Sequence, residues 1–192
     1  RLALTDKAIE LSVDAPCQYI LPRKGVLEIS RLLNGAEEKV TVTIGDNHMR
    51  VSTGKQSLTT KLVDGRFPDY ERVIPRESDT PILADRETLR AGLSRASILS
   101  NEKFRGIRLI LKKNLLTAVA HNPEQEEAEE EIEIDYAGDT IEVGFNVSYL
   151  LDVLGVMRSD SVRIDLIDGN SSCLIRTSKT SDSKYVVMPM RI

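Results

Sequence analysis

A short apolar segment followed by a helix-like pattern occurs three times along the chain. The three segments begin at Ile20, Ile82 and Val143, so they are spaced 62 and 61 residues apart. Each is followed by a break, by apolar residues at helical spacing, and by three stretches in which apolar and polar residues alternate. This fixed period predicts a repeated β-α-β-β-β unit, and it favours a protein built for its shape over one built around a catalytic pocket.

An apolar stripe at about 100° per residue predicts the helix of each copy. The helices are expected near 24–33, from Arg86, and from 147 to about 157. Lys24 and Arg95 fall away from the stripes, where they either face a polyanion or are ordinary solvated charges. The stripes expected to be buried are Val26, Ile29, Leu32 and Leu33 in copy one, Leu89, Leu93 and Ala96 in copy two, and Val147, Leu150, Leu151 and Leu154 in copy three.

Capping and turn residues separate these elements. Asp85 and Asn146 are the expected N-caps, and Asn34-Gly35 is a good helix stop. The polar stretch Pro75–Pro81 predicts a linker. Copies two and three follow one another closely and are expected to form one domain. Copy one then has no second copy with which to form a domain of the same kind. Hairpin-linked antiparallel strands are expected at 40–44, 48–53, 57–63, 105–112, 115–120, 161–167, 172–177 and 184–190.

The charge of the chain is unevenly distributed. The 192 residues carry a net charge of −4, yet residues 124–135 contain eight acids and no base, so the remainder carries +4. A basic surface is therefore possible on another face. No stretch approaches the roughly 18 apolar residues of a membrane span, and the two distant cysteines, Cys17 and Cys173, are interpreted as reduced thiols of a cytosolic protein.

Residues that could carry catalysis are few. His48 and His121 fall in strand-like segments without a nucleophile at a known spacing, which favours a structural role for both. The acidic run 124–135 could be imagined as a Ca²⁺ or Mg²⁺ site, but it ends in strand-like alternation and lacks the turns of a metal loop, which favours a solvated or partner-facing strip.

The C-terminal segment Tyr185–Ile192 is apolar to its last residue, which is unusual for a terminus. Two methionines beside Pro189 would form an adaptable surface for several partners. The alternative is an ordinary final strand packed in the core. In that strand Val186 and Met188 would share one face and Val187 would lie on the other.

Five segments in order resemble one family. They are Lys61–Tyr70, Ile98–Gly106, Asn122–Glu130, Gly144–Tyr149 and Tyr185–Arg191. Together they resemble the bacterial sliding clamp, the β subunit of DNA polymerase III, of a proteobacterial type, and the resemblance extends over the whole chain.

The resemblance implies an α+β DNA-clamp fold, with antiparallel sheets outside and helices facing a DNA channel. Residues 1–78 would be the second half of the middle clamp domain, whose first half is absent, and residues 79–192 the complete C-terminal domain. The N-terminal domain, which supplies the other side of the dimer interface, would be missing. The full-length protein would form a homodimeric ring, and this chain alone would be mostly monomeric.

Three sets of site residues are implied by the resemblance. A groove that binds partner peptides would consist of Arg1, Leu2, Pro68, Arg72, Val73, Asn146, Tyr149, Ser172, Val186, Met188, Pro189, Met190 and Arg191. The DNA-facing cations would be Arg23, Lys24 and Arg95. The dimer interface would contain Ile98 and Leu99 as apolar contacts and Glu124, Glu126 and Glu130 as ion-pair partners.

The function implied by the resemblance is that of a processivity factor, a non-catalytic subunit of the DNA polymerase holoenzyme. It would encircle duplex DNA without sequence specificity in the cytoplasm. It would dock polymerases, the clamp loader, mismatch-repair proteins and ligase through short linear motifs, without a cofactor, a metal or a membrane. The alternatives are a small nuclease that holds metal in its acidic strip and a plain interaction domain with no DNA role.

Overall fold

The computed structural model describes residues 1–10, 15–36, 38–177 and 182–191. The chain forms two compact units. One contains Arg1–Ile9 and Glu71–Ile192, and the other contains Glu10–Tyr70.

Among the described residues, the larger unit contains two α-helices and most of the strands. A short 3-10 helix, Ser97–Leu99, follows α2. In chain order across both units the elements are β1 (Leu2–Thr5), α1 (Arg23–Leu33), β2 (Val40–Ile44), β3 (His48–Thr53), β4 (Gln56–Lys61), β5 (Ile82–Asp85), α2 (Arg86–Ala96), β6 (Gly106–Lys112), β7 (Leu115–His121), β8 (Glu127–Glu133), β9 (Ile141–Asn146), α3 (Val147–Val156), β10 (Ser161–Asp165), β11 (Cys173–Thr177) and β12 (Ser183–Val187).

Copies two and three exchange their opening strands. The opening strand of copy three, β9, pairs with β6 in the sheet β8-β7-β6-β9. The opening strand of copy two, β5, pairs with β10 in the sheet β1-β12-β11-β10-β5. All of these pairs are antiparallel. The exchange joins the two copies into one compact unit.

The predicted stripes of α2 and α3 form the core of this unit. Leu89, Leu93 and Ala96 are buried, and so are Val147, Leu150 and Leu154, while Leu151 is half-buried against them. Both N-caps are confirmed. The Asp85 carboxylate accepts the N–H of Thr88 at 2.7 Å, and the Asn146 carbonyl oxygen accepts the N–H of Ser148 at 3.0 Å. The Thr88 bonds, with a smaller contribution from Arg86, hold the pKa of Asp85 below its ordinary value.

Copy one differs from the prediction in two ways. The segment that opens it at Ile20 is not a strand, although the Ile20 carbonyl accepts the N–H of Val63 at 2.9 Å. The predicted stripe of α1 is only partly covered, and Val26 is 51% exposed; among the described elements the helix packs mainly against β3 and β4 of a three-stranded sheet. Gly25 is the buried residue of α1, since a Cβ there would lie 2.6 Å from Oγ1 of Thr60. The helix stop is confirmed at Gly35, whose φ is +75°.

The final strand is shorter than predicted. It ends at Val187, so Met188–Met190 lie outside it. Val186 and Val187 are both buried, whereas Met188 is 59% exposed. The expected alternation, with Val186 and Met188 on one face, is therefore wrong, because the strand ends before Met188 and the side chains of its last two residues are both buried.

The division at residue 78 stays a prediction, and the structure groups the chain differently. Leu2–Thr5 and the predicted linker at Pro75–Pro81 belong to the same unit as the C-terminal sheets. Within the described residues, no helix is both long and apolar enough to cross a membrane.

Candidate functional site

A cavity of about 480 Å³ brings together four residues of the predicted peptide groove. They are Arg1, Leu2, Tyr149 and Val186, and all belong to the larger unit. The other lining residues are Ala3, Asp152, Val153, Val156 and Tyr185.

Strand pairing and helix capping position these side chains. β1 pairs with β12 so that Leu2 lies opposite Val186. The Asn146 cap starts α3 at Val147 and places Tyr149 in its first turn. Tyr149 remains 37% exposed. The result is an apolar floor with an accessible aromatic ring at its rim, which suits a short apolar peptide.

Arg1 closes one side of this cavity. Its guanidinium lies 4.4 Å from the centre of the Tyr149 ring, a cation–π distance. The same guanidinium forms an ion pair with Asp152. Because both charged groups are more than half exposed, the pair contributes little to the stability of the fold.

Sequence reasoning missed Asp152, Val153 and Val156 as cavity residues. Asp152 and Val156 lie three and seven positions after Tyr149, which is the spacing of one helix face. That spacing is the sequence signal that places both residues on the same helix face as Tyr149.

Met190 and Arg191 line a second cavity, of about 330 Å³. The N–H of Met190 donates to the carbonyl of Gly144 at 2.9 Å, which ties the C-terminal segment to β9. The remaining lining residues are Asn101, Phe104, Gly106, Val119 and His121. The predicted groove residues are thus divided between two cavities of one unit.

The other predicted groove residues lie elsewhere. Asn146 donates from its amide to the Phe104 carbonyl at 3.0 Å in addition to capping α3. Ser172 is half-buried just before β11, and Met188 and Pro189 follow β12. Among the described residues, Arg72, Val73 and Pro68 line neither cavity, and Arg72 and Val73 belong to the larger unit while Pro68 belongs to the smaller one.

The predicted ring edge is an open strand edge beside an exposed apolar side chain. β8 is the last strand of its sheet. Ile98 is 76% exposed and lines a cavity of about 380 Å³ together with Glu124, while Leu99 is half-buried. Glu126 accepts a hydrogen bond from the side-chain amide of Asn122. An edge with which no described strand pairs is a surface to which another chain can add.

Arg95 and Glu130, predicted for different surfaces, bind each other. The Nε and Nη2 of Arg95 lie 2.7 and 2.8 Å from the two carboxylate oxygens of Glu130. The hydrogen bonds raise the pKa of Arg95 and lower that of Glu130. The close packing of α2 on β8 makes the pair possible, since a Cβ at Gly92 would lie 2.6 Å from Cδ1 of Ile132.

Arg23 and Lys24 lie at the start of α1, and both are exposed. The helix has no side-chain cap at Pro22 and no acidic residue in its first turn. Cations at a helix N-terminus oppose the helix dipole, so these two side chains do not stabilise α1. Their position is consistent with a role in binding an anion.

Neither histidine belongs to a metal-binding group. Within the described ranges, no three His, Cys, Asp or Glu residues lie close enough to hold a metal ion. His121 pairs with Glu127 at 3.3 Å across β7 and β8, and His48 lies beside Asn47 at the start of β3.

Comparison with known proteins identifies the family. Residues 71–191 match the model of the DNA polymerase III beta subunit, C-terminal domain, and residues 1–69 match that of the central domain.

Relatives match over the full chain. The chain is 54% identical to the beta sliding clamp of Pseudomonas putida and 47% identical to that of Escherichia coli, over all 192 residues and 52% of each relative. It therefore spans about half the length of the curated relatives it matches.

Solved structures give the same fold. The sliding clamp of Pseudomonas aeruginosa bound to griselimycin is 52% identical, with a TM-score of 0.94 over 99% of this chain and 52% of that one. The pol III beta of Caulobacter crescentus is 36% identical, with a TM-score of 0.92 over 99% and 51%. The predicted α+β clamp fold is confirmed, and the chain belongs to the DNA polymerase III beta subunit family, the bacterial beta sliding clamps.

Proposed function

We propose that this chain is the peptide-docking and ring-closing part of a sliding clamp, the processivity factor of a replicative DNA polymerase. The observation that carries the proposal is the cavity that joins Leu2, Tyr149 and Val186 under the guanidinium of Arg1. In this role the protein tethers a polymerase to duplex DNA by topology and catalyses no reaction itself.

The cavity is of a suitable size and character for a short linear motif. Burial of one Leu- or Phe-sized anchor contributes roughly 1.5–3 kcal/mol. Two such anchors support about micromolar binding once the entropy of association is subtracted. A peptide of the type Gln-Leu-x-Leu-Phe supplies them. Because many proteins can carry such a motif, polymerases, the clamp loader, mismatch-repair proteins and ligase would exchange at one site. The griselimycin complex of the Pseudomonas aeruginosa clamp supports ligand binding within this family.

DNA contact is proposed for the helix cations. Arg23 and Lys24 are exposed, and Arg95 is exposed but paired with Glu130. A ring that slides must not hold bases, so the contacts are with phosphates, weak, and independent of sequence.

Ring closure is proposed for the β8 edge with Ile98, Leu99, Glu124, Glu126 and Glu130. The opposing surface would come from the N-terminal domain of a second subunit, so the full-length protein is a homodimer and this chain alone is mostly monomeric. The division into 1–78, half of a middle domain, and 79–192, a complete C-terminal domain, belongs to the same proposal, as does a cytoplasmic location beside the DNA.

Calorimetry with the peptide tests the docking role. We expect Tyr149→Ala to weaken binding of a Gln-Leu-x-Leu-Phe peptide by at least about tenfold, which corresponds to about 1.4 kcal/mol. Tyr19→Ala is the matched control, since Tyr19 is 41% exposed but lies in the smaller unit. Equal losses in both variants, or none in Tyr149→Ala, would contradict the proposal.

A further inference from the structure

Two arginines lie side by side on neighbouring strands of the sheet β1-β12-β11-β10-β5. Arg163 on β10 and Arg176 on β11 are directly opposed in the antiparallel register. Their side chains are only 25% and 20% exposed. Like charges in this position destabilise a strand pair unless another group compensates them.

Asp165 supplies part of this compensation. It lies two residues after Arg163 on β10, on the same face, and its side chain is fully buried. One carboxylate oxygen lies 2.8 Å from Nη2 of Arg163 and the other lies 3.2 Å from Nε of Arg176. The hydrogen bonds to Asp165 raise the pKa of Arg163. Two arginines and one aspartate still leave the sheet with one unbalanced positive charge.

The segment Pro75–Pro81 supplies the missing negative charge. An oxygen of Glu77 lies 2.5 Å from Nη2 of Arg176 and 3.6 Å from Nη2 of Arg163. The next residue adds a backbone contact, because the N–H of Ser78 donates to the buried carboxylate of Asp165 at 3.1 Å.

The segment that carries Glu77 and Ser78 leads directly into the edge strand β5. Residues 71–81 carry the chain into β5, and β5 pairs with β10. The segment therefore reaches past β10 to the arginine on β11 before it enters the sheet.

We propose that Pro75–Pro81 is a strap held by an ionic latch, in which Glu77 occupies the socket formed by Arg163 and Arg176 and thereby protects the bond between Ser78 and Asp165. The outer part of the latch is the set of contacts made by Glu77, and the inner part is the set of contacts made by Asp165. Glu77 is 60% exposed and is accessible to salt, whereas Asp165 is buried and retains its arginines. High ionic strength releases the outer part, which frees the strap without unfolding the sheet.

Hydrogen exchange at the Ser78 amide, measured by NMR on the chain of 192 residues, tests the latch. The exchange rate of Ser78 in each protein is divided by the rate in an unstructured peptide of the same local sequence, which removes the effect of the substitution on intrinsic exchange. We expect Glu77→Gln to lower the protection of Ser78 about two- to fivefold, the range for an exposed ion pair. Asp79→Asn, which removes an exposed carboxylate two residues away, is the matched control and should leave protection unchanged. Equal protection in the Glu77→Gln variant and the native chain would overturn the proposal.

The effect of salt on the protection of Ser78 gives a second test, because it should have opposite signs in the native chain and in Glu77→Lys. Raising the ionic strength to about 1 M shortens the screening length to about 3 Å. In the native chain this should lower the protection of Ser78 to the Glu77→Gln level, while the variant itself should respond little. In Glu77→Lys three cations repel one another, so salt should raise the protection. The same salt response in all three proteins would contradict the latch. Unchanged exchange at Ile164 and Ile175 would show that β10 and β11 remain folded.

Discussion

Arg95 and Glu130 form a two-pronged ion pair that joins α2 to the edge strand β8, with N–O distances of 2.7 and 2.8 Å. The resemblance to clamps assigns Arg95 to the DNA-facing surface and Glu130 to the dimer interface. The structure shows that each is the other's partner. Under the proposed roles, a phosphate or a second subunit would have to compete with this pair, and DNA contact and ring closure would then be linked through one ion pair.

The pair should make stability depend on pH in acid. The hydrogen bonds from Arg95 lower the pKa of Glu130 from its ordinary 4.5. The pair therefore stabilises the fold fully above that value, and the stabilisation is lost as the pH falls through the lowered pKa. We expect the difference in melting temperature between the native chain and Glu130→Gln to shrink from about pH 6 to about pH 3. Glu129→Gln, on the exposed face of β8, is the control. A difference that stays constant over this range would show that the pair is not formed in solution.

Lys24 and Arg95 should contribute unequally to DNA binding by the full-length ring. Each phosphate contact adds about 0.9 to the slope of log affinity against log salt. Lys24→Gln should remove about that amount. Arg95→Gln should remove much less, because Glu130 already neutralises Arg95. Lys112→Gln, at the end of β6, is a control that should change nothing. Equal effects at Lys24 and Arg95 would mean that DNA displaces Glu130 completely.

The sequence predicted most elements of the larger unit because they are encoded locally, but it did not predict β1, and for β8 it indicated only strand-like alternation at the end of the acidic run. The caps at Asp85 and Asn146 and the stripe of Leu89 and Leu93 are patterns within a few residues. The exchange of β5 and β9 between sheets is a long-range pairing, and no short pattern specifies it.

The site was predicted less completely for a similar reason. The residues implied by the resemblance include Tyr149 and Val186, which the fold brings into one cavity, but Met190 lines another. Glu130 binds the guanidinium of Arg95. Helical periodicity predicts the face of α2 on which Arg95 lies, but it does not predict which residue of another element its side chain contacts. Val26 is predicted to be buried but is half exposed. Apolar spacing shows which face of a helix can be covered, but it does not show whether enough strands are present to cover that face.

The two thiols should differ sharply in reactivity. Cys173 is 1% exposed, and burial raises the pKa of its thiol to about 12. Cys17 is exposed. An aromatic disulfide reagent near neutral pH should therefore modify one thiol rapidly in the native chain, none in Cys17→Ser, and both cysteines of the native chain in denaturant. Rapid modification of folded Cys17→Ser would contradict the placement of Cys173 inside β11.

Removal of residues 188–192 should separate binding from folding. The final strand ends at Val187, and Val186 and Val187 keep their partners on β1 and β11, so we expect the circular dichroism spectrum and most of the thermal stability to be retained. The exposed Met188 and the bond from Met190 to β9 are lost. Calorimetry should then show weaker binding of the Gln-Leu-x-Leu-Phe peptide, because Met190 and Arg191 line the second cavity while every residue that lines the first is retained. Unchanged affinity would exclude the C-terminal segment from the groove.

An NMR titration of the chain with the same peptide tests the central claim most directly, because it maps the bound surface without a mutation. We expect the amide shifts to concentrate in 1–3, 149–156 and 185–186, which line the cavity of about 480 Å³, with smaller shifts at 190 and 191, which line the second cavity. Amides of β8 around Glu130, on the proposed ring edge, should move little. Shifts centred on β8, or no saturable shifts with peptide in the high micromolar range, would contradict the assignment of this cavity as the docking site.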